Sequence, residues 1–473
     1  MFSFLISLAA LILGYVIYGG YVERLMSPDR NRKTVAVERA DGVDYVPLPA
    51  WKIFMIQFLN IAGLGPIFGA IMGAKFGVAS YIWIVFGTIF AGAVHDYISG
   101  MISLRNGGES LPESIGRYLG VTAKQLMRGF IVVLLVLVAA VFVAGPAGLL
   151  ATLTTSEEST FFNANFWIIA VFVYYIVATL LPIDKIIGRV YPLFSVALLF
   201  MAAGILGVIL IKGWGWGLPE FTDPIDPHPA GLPIFPMMFI SIACGAISGF
   251  HASQSPMMAR CMQNETLGRP IFYGAMVTEG IVALIWAAAA TYFFHENGFG
   301  ESNAAVVVNS ITSSWLGTFG AVLAMLGVIF APITSGDTAL RSARLIVADF
   351  LNLEQRSIKG RLMISIPLFV VTIAILLYSL QDSEGFNIIW RYFAWANQLL
   401  ATFTLWMITV FLVGERKNFY ITLLPALFMT GVTSCYIFVA GEGLALPIAW
   451  GYSLSGVVMA VTLVRFLVWK RGR

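Results

Sequence analysis

The sequence predicts an all-α, polytopic membrane protein from three observations: its composition, a series of long apolar runs, and the distribution of its charges. Of the 473 residues, 59% are hydrophobic and only 11% are charged, against about 25% charged in a typical soluble domain. A soluble protein of this size needs more charged residues to cover its surface. We therefore expect lipid to surround this protein. The net charge of +3 gives no indication of a nucleic-acid partner.

Apolar runs long enough to cross a hydrocarbon core of ~30 Å occur at about thirteen places. They are 2–22, 53–74, 80–103, 130–153, 166–182, 190–212, 234–258, 271–294, 316–345, 362–380, 388–413, 420–440 and 445–468. The first run has no Lys or Arg before it and no small-residue cleavage site after it, which predicts a retained helix rather than a signal peptide.

The loops between these runs differ in charge. With the N-terminus outside, the loops on the cytoplasmic side hold 24 of the 28 Lys and Arg residues, whereas the external loops hold two Lys and ten acidic residues. This positive-inside bias predicts an odd number of spans across a cytoplasmic membrane, with the N-terminus outside and the C-terminus in the cytoplasm.

Two of the predicted spans carry residues that disfavour a continuous helix. The second contains NIAGLGPIFG at 60–69, and the seventh contains CGAISGFHASQSP at 244–256. Glycine costs about 1 kcal/mol and proline about 3 kcal/mol in a helix interior, so unwinding is cheap at both places. The alternative is that these small residues only allow close helix packing.

The positions of the two breaks suggest an inverted repeat. Spans two to six and seven to eleven each comprise five helices, and because five is odd, the two units must insert with opposite topology. This is the arrangement of many secondary transporters. We therefore predict an N-terminal helix and cytoplasmic loop at 1–52, a first five-helix repeat at 53–233, an inverted second repeat at 234–413, and two C-terminal helices at 414–473.

The ninth run contains a polar cluster. Thr334 and Thr338 share one helix face, Ser335 lies beside them, and Asp337 follows. Hydroxyl groups in helices often bond to carbonyls of their own helix. A carboxylate inside a membrane costs about 2.5–3.5 kcal/mol on insertion scales, so Asp337 needs either a function or a partner, such as Arg341 one turn later.

Further ionisable residues lie in other apolar runs. His95 and Asp96 would suit a proton relay, or they form a structural network with Arg105. His251 lies within the second break. There it either binds the substrate or a proton, or it makes a structural hydrogen bond. Glu279 is another candidate buried acid, without a partner evident from the sequence.

The three cysteines, Cys244, Cys261 and Cys435, are widely spaced. They predict neither a disulfide framework nor a zinc site. We expect no cofactor.

Several motifs are similar to those of a known family. The motifs are GPIFGA at 65–70, HDYISGM at 95–101, LRNGG at 104–108, SGFH at 248–251, TSGDT at 334–338 and RSAR at 341–344. On these motifs the chain resembles the carbon starvation (CstA) transporter family over its first eleven spans, and this family is grouped with the amino acid–polyamine–organocation superfamily. The resemblance implies the five-plus-five inverted repeat of LeuT, here with one extra N-terminal and two extra C-terminal helices.

The resemblance also implies a cation site. In sodium-coupled members of this fold, carbonyls matching Leu59, Ala62 and Ala331 bind Na+ together with hydroxyls matching Thr334 and Ser335. Such an oxygen-only set suits a hard cation. We expect no other metal.

The two breaks would form the substrate site, with the substrate carboxylate on backbone amides of the first. The candidate substrate-binding residues are Gly63, Leu64, Gly65, Ser248, Gly249, His251, Ser253 and Gln254. The candidates for proton coupling are His95, Asp96, His251 and Asp337.

From the resemblance we expect a secondary active transporter that works by alternating access. It would import short peptides or a small carboxylate such as pyruvate during carbon starvation, together with H+ or Na+. A receptor that binds solute without flux is the alternative, and a passive channel would not concentrate solute. A membrane enzyme would need a tighter catalytic constellation than the scattered histidines and acids predict.

Overall fold

A computed structural model describes residues 1–154, 161–180, 187–223, 228–298, 304–355, 357–381 and 385–472. All regular structure in these ranges is helical. The main helices are α1 Phe2–Met26, α2 Ala50–Ile61, α3 Gly65–Ala74, α4 Ala79–Arg105, α5 Leu111–Leu119, α6 Val121–Thr154, α7 Ala164–Leu180, α8 Ile187–Lys212, α9 over 234–241, α10 Gly249–Ala259, α11 Glu265–Asn297, α12 Ala304–Leu351, α13 Ile358–Gln381, α14 Gly385–Gly414, α15 Tyr420–Val439 and α16 Ile448–Arg471.

Ten helices among the described residues are long and apolar enough to cross a membrane, and α2 with α3 form an eleventh candidate as a bent pair. Helix α7 is apolar but shorter, and the stretch 234–259 is interrupted. These elements occupy the positions of the predicted spans. The all-α, multi-pass class is therefore confirmed, while the count of thirteen stays a prediction.

Both spans that were predicted to break are broken. Helices α2 and α3 meet at an angle of 51°, across the non-helical residues 62–64. Helices α9 and α10 are separated by the longer non-helical stretch 242–248. Pro66, just inside the start of α3, has no N–H to donate and is tolerated in a first helical turn.

The two breaks lie against each other. A Cβ atom added to Gly65 would overlap the side chain of Cys244, and one added to Gly69 would lie 2.9 Å from the carbonyl oxygen of Ser241. Glycine is therefore required at both positions because the two interrupted spans approach so closely. The meeting of the breaks was the central expectation from the sequence.

The broken spans are surrounded by buried helices. In the membrane-crossing parts of α4 and α11, 83% and 89% of the residues are buried, against 17% in α16. Helix α12 packs along α6 and α8. The C-terminal helix α16 therefore presents most of its apolar surface to lipid, and α4 and α11 form the centre of the bundle.

The ninth predicted run is longer in the structure than in the sequence analysis. Helix α12 begins at Ala304 and is interrupted at Gly317, which has φ 64° and ψ 179°. Such a positive φ favours glycine. Gly317 thus separates an additional helical segment, 304–316, from the part of α12 that crosses the membrane.

The loop between α1 and α2 covers one end of the bundle. The hydroxyl of Thr34 donates to the Met262 carbonyl at 2.5 Å, and the amide of Leu48 donates to the Cys261 carbonyl at 3.1 Å. The buried carboxylate of Glu265 accepts hydrogen bonds from both Arg32 and Arg105 on this side. The loop is therefore fixed to the residues that follow α10.

The contact between the broken spans can be tested by cross-linking. A Cβ atom added to Gly73 would lie 3.7 Å from the Cβ atom of Ile242, within the 3.5–4.5 Å typical of disulfides. In a background without the three native cysteines, we expect Gly73→Cys combined with Ile242→Cys to form a disulfide on mild oxidation. The measurement is protection of both thiols from alkylation, reversed by a reducing agent.

Each single cysteine variant is the matched control, because it has no intramolecular partner and should remain fully alkylated. Complete alkylation of the well-folded double variant after oxidation would contradict the packing of α3 against the start of the second break.

Candidate functional site

The second break is held by an asparagine that the sequence analysis missed. The side-chain oxygen of Asn397, on α14, accepts hydrogen bonds from the amide of Phe250 at 2.7 Å and from the hydroxyl of Ser248 at 3.0 Å. It therefore caps the start of α10, where the first N–H groups have no partner within the helix. The available signal was a pair of amide side chains, Asn397 and Gln398, inside an otherwise apolar run.

Helix α4 provides donors to the unwound carbonyls of the same break. The hydroxyl of Thr88 donates to the Gly245 carbonyl at 3.1 Å, and the indole N–H of Trp83 donates to the Ile242 carbonyl at 3.4 Å. Unwound backbone at this depth is stable only when protein or water satisfies it. Side chains from α4 and α14 thus stabilise the non-helical conformation.

The predicted substrate-binding residues lie mainly at two helix starts. Residues 63–65 lie at the start of α3, where the first amides have no intrahelical partner. Ser248, Gly249 and His251 lie at the start of α10. The thiol of Cys244, which contacts Gly65, lies 3.6 Å from the Ser248 hydroxyl and so connects the two starts.

Ser253 and Gln254, which were predicted with this group, lie further along α10. The hydroxyl of Ser253 donates to the Phe250 carbonyl at 2.6 Å, and the amide of Gln254 donates to Ser253 at 2.9 Å. Both side chains are buried. The structure therefore places them behind the first turn of α10, bonded to each other and to their own helix.

Four of the five predicted cation-binding residues are brought together. The hydroxyl oxygen of Ser335 lies 3.1 Å from the Leu59 carbonyl and 2.9 Å from the Ala331 carbonyl. The hydroxyl of Thr334 lies 2.8 Å from the Ala331 carbonyl. Ala62 is the first residue after α2, with φ −82° and ψ 44°. Oxygen atoms from α2 and α12 thus cluster beside the first break.

Asp337 has tyrosine partners that the sequence analysis did not single out. Its Oδ2 atom accepts hydrogen bonds from Tyr191 at 2.5 Å and from Tyr174 at 3.0 Å. Arg341, the partner considered from the sequence, donates to the Ala178 carbonyl at 2.8 Å. The carboxyl group is therefore held between α12, α7 and α8.

Four ionisable side chains form a buried chain. The Nδ1 atoms of His95 and His251 lie 2.7 Å and 2.9 Å from the two oxygens of Asp96, and Nε2 of His251 lies 3.4 Å from Glu279. All four are fully buried. Asp96 is thus bonded to histidines, whereas Arg105 bonds to Glu265.

The described residues contain no group of three or more His, Cys, Asp or Glu side chains arranged to hold a metal ion. The three cysteines are free and buried.

A helical membrane bundle in which two interrupted spans meet is the architecture of LeuT-type transporters. A crystal structure of MhsT in complex with L-phenylalanine aligns with a TM-score of 0.57 and 13% identity, over 87% of this chain and 97% of MhsT.

The chain matches the family described as carbon starvation protein CstA over residues 1–156, 147–314 and 296–435. It belongs to this family and is a multi-pass membrane transporter, not an enzyme.

Two named relatives indicate the range of the family. The peptide transporter CstA of Campylobacter jejuni is 26% identical, over 89% of this chain and 77% of that protein. The pyruvate/proton symporter BtsT of Escherichia coli is 27% identical, over 60% of this chain and 48% of its own length. Both relatives are transporters by name.

Proposed function

We propose that this protein is a cation-coupled symporter that imports short peptides or a small carboxylate such as pyruvate by alternating access. The observation that carries the proposal is the contact between the two breaks, at which Gly65 approaches Cys244 without room for a side chain. This contact brings the starts of α3 and α10 together, and the first amides of α3 have no partner within their helix. The names of the relatives support peptides and pyruvate as the substrate classes.

In this proposal the substrate carboxylate binds the amides of Leu64 and Gly65 at the start of α3. Helix starts attract anions because their N–H groups and the helix dipole point at the ligand. Ser248 and His251 provide polar groups from the opposite start. Because these residues are buried, a substrate reaches them only when helices move, as alternating access requires.

The coupling ion has two candidate sites. Oxygens of Leu59, Ala62, Ala331, Thr334 and Ser335 would hold Na+, which prefers oxygen ligands. The alternative ion is H+, with His95, Asp96, His251 and Asp337 as candidate carriers. The relative named as a proton symporter supports the second ion.

We also propose the repeat boundaries 53–233 and 234–413, with the N-terminus outside an inner membrane. In a background without native cysteines, we expect an impermeant maleimide to label Asp223→Cys in intact cells but Arg416→Cys only after permeabilisation. Both positions are exposed. The reverse pattern would contradict the orientation, and labelling of both variants in permeabilised cells is the control.

Charge movement distinguishes the two substrate classes. One net charge that crosses 100 mV yields about 2.3 kcal/mol, equivalent to about fifty-fold accumulation. Pyruvate with one proton moves no net charge, whereas a zwitterionic dipeptide with one cation moves a full charge. We expect proteoliposomes on a solid support to show a dipeptide-dependent current under an H+ or Na+ gradient, or electroneutral uptake of labelled pyruvate.

Empty liposomes are the control for leakage. Saturable binding of either substrate without uptake would support a receptor, and uptake that no gradient concentrates would support a channel. Either result would overturn the proposed symport.

Ser335 tests the cation site, because its hydroxyl bridges the Leu59 and Ala331 carbonyls. If Na+ is the coupling ion, we expect Ser335→Ala to raise the Na+ concentration for half-maximal uptake about tenfold, equivalent to about 1.4 kcal/mol of lost binding energy. The matched control is Thr312→Ala, a buried hydroxyl on the same helix that bonds to the Val308 carbonyl of its own helix. Equal shifts in the two variants would contradict a specific role for Ser335.

A further inference from the structure

The buried chain of His95, Asp96, His251 and Glu279 connects three separate elements at the centre of the bundle. His95 and Asp96 lie on α4, His251 lies in the first turn of α10, and Glu279 lies on α11. The buried chain adjoins the second break, because His251 follows the non-helical residues 242–248 by three positions. It therefore adjoins the proposed substrate site.

The two acids of the chain have different surroundings. Both oxygens of Asp96 lie within hydrogen-bond distance of an imidazole nitrogen, at 2.7 Å and 2.9 Å. Neither oxygen of Glu279 makes a hydrogen bond to the described residues, and Nε2 of His251 lies 3.4 Å from its Oε2 atom. Two imidazole N–H groups can thus stabilise Asp96 as an anion, whereas Glu279 has no such hydrogen bonds.

The charges around Glu279 indicate which form is compatible with burial. The titratable groups that face it are His251 on α10, Asp96 on α4 and Cys244 in the second break. With Glu279 ionised and both imidazoles neutral, the bundle would contain a negative charge without a hydrogen-bond donor. Burial of an unpaired charge costs several kcal/mol, so this buried arrangement favours a proton on Glu279 or on His251.

We propose that Glu279 and His251 together hold the transported proton, and that Asp96 and His95 position the His251 ring. When Glu279 is protonated, its O–H points toward Nε2 of His251, while Nδ1–H of the same ring donates to Asp96. This inference rests on the proposed transport function and assigns its proton site. Glu279 is the proton carrier, and Asp96 and His95 are positioning residues.

Movement of α10 provides a way to release the proton. Helix α10 is separated from α9 by a non-helical stretch, so it can tilt as a separate unit about residues 242–248. A tilt would move His251 away from both Asp96 and Glu279. His251 lies about 12 Å from the end of α10, because eight residues at 1.5 Å each separate it from Ala259. If the bundle opened at the Ala259 end of α10, the proton would be released on that side of the membrane.

The test uses the full-length protein in proteoliposomes, with the membrane potential held at zero by potassium and valinomycin. The substrate is labelled dialanine or pyruvate, whichever the wild type takes up. A gradient of one pH unit is equivalent to 1.36 kcal/mol, or about tenfold accumulation per proton. We expect the wild type to approach this ratio and Glu279→Gln to remain near equal concentrations on both sides.

The same variant should retain substrate exchange. Glutamine resembles the protonated acid, so the loaded carrier still reorients, and we expect counterflow within about threefold of the wild type. Uptake by Glu279→Gln should also lose the pH dependence of the wild type. The matched control is Glu296→Gln, an exposed acid at the end of the same helix, which should keep full proton-driven accumulation.

The outcomes separate the two proposals. Absence of any flux in the wild type would overturn the proposed function itself. Flux in the wild type together with unchanged proton-driven accumulation in Glu279→Gln would overturn only the assignment of Glu279.

A second measurement needs no variant. Carbodiimides that dissolve in the membrane react with protonated carboxylic acids, so mass spectrometry should find wild-type protein modified at Glu279, less so as the pH rises. Modification at Asp96 with none at Glu279 would overturn the assignment.

Discussion

The need to satisfy unwound backbone inside a membrane determines the structure of this protein. Each interruption frees N–H and C=O groups that lipid does not bond. The second break is stabilised by Asn397 from α14 and by Thr88 and Trp83 from α4. The elements that surround the break are therefore fixed by the hydrogen bonds it requires, and the same elements surround the candidate site.

Close packing follows from the same constraint. The two breaks shield one another from lipid only when they are in contact, and contact requires residues without large side chains. A Cβ atom at Gly92 would overlap the Ala246 carbonyl, and one at Gly249 would overlap the backbone of Ala401. Substitution at these positions would separate helices rather than remove a single contact. The glycines therefore fit both interpretations of the sequence, because they lower the cost of unwinding and also allow close packing.

The sequence predicted features that depend on local composition and missed those that depend on distant partners. Glycine and proline within apolar runs were sufficient to locate both breaks, because their cost in a helix is intrinsic. The partner of Glu279 was not predictable, since His251 and Asp96 lie on other helices. Asp337 was matched with Arg341, one turn away on the same helix, because such spacing is the only geometry that a single sequence provides.

The candidate cation site combines local features of one helix with a partner on a distant helix. The resemblance to sodium-coupled transporters placed Ser335 next to Leu59, and the structure has the two atoms 3.1 Å apart. Thr334 also bonds to carbonyls of its own helix, as hydroxyls do without any ion. Proximity of oxygens alone is therefore compatible with Na+ and with a purely structural role. The buried chain of His95, Asp96, His251 and Glu279 differs because burial of its acids requires a compensating charge or a proton.

Coupling between the proposed substrate site and the proposed proton site needs no long pathway in this arrangement. The first turn of α10 carries Ser248 and the amide of Phe250, both bonded to Asn397, and His251, bonded to Asp96. Hydrogen bonds that involve a charged group contribute about 1.5–3 kcal/mol each, similar to typical coupling energies between sites of 1–3 kcal/mol. A single displacement of this turn would change the substrate groups and the proton site together. One hinged helix start is thus sufficient to link the two ligands energetically.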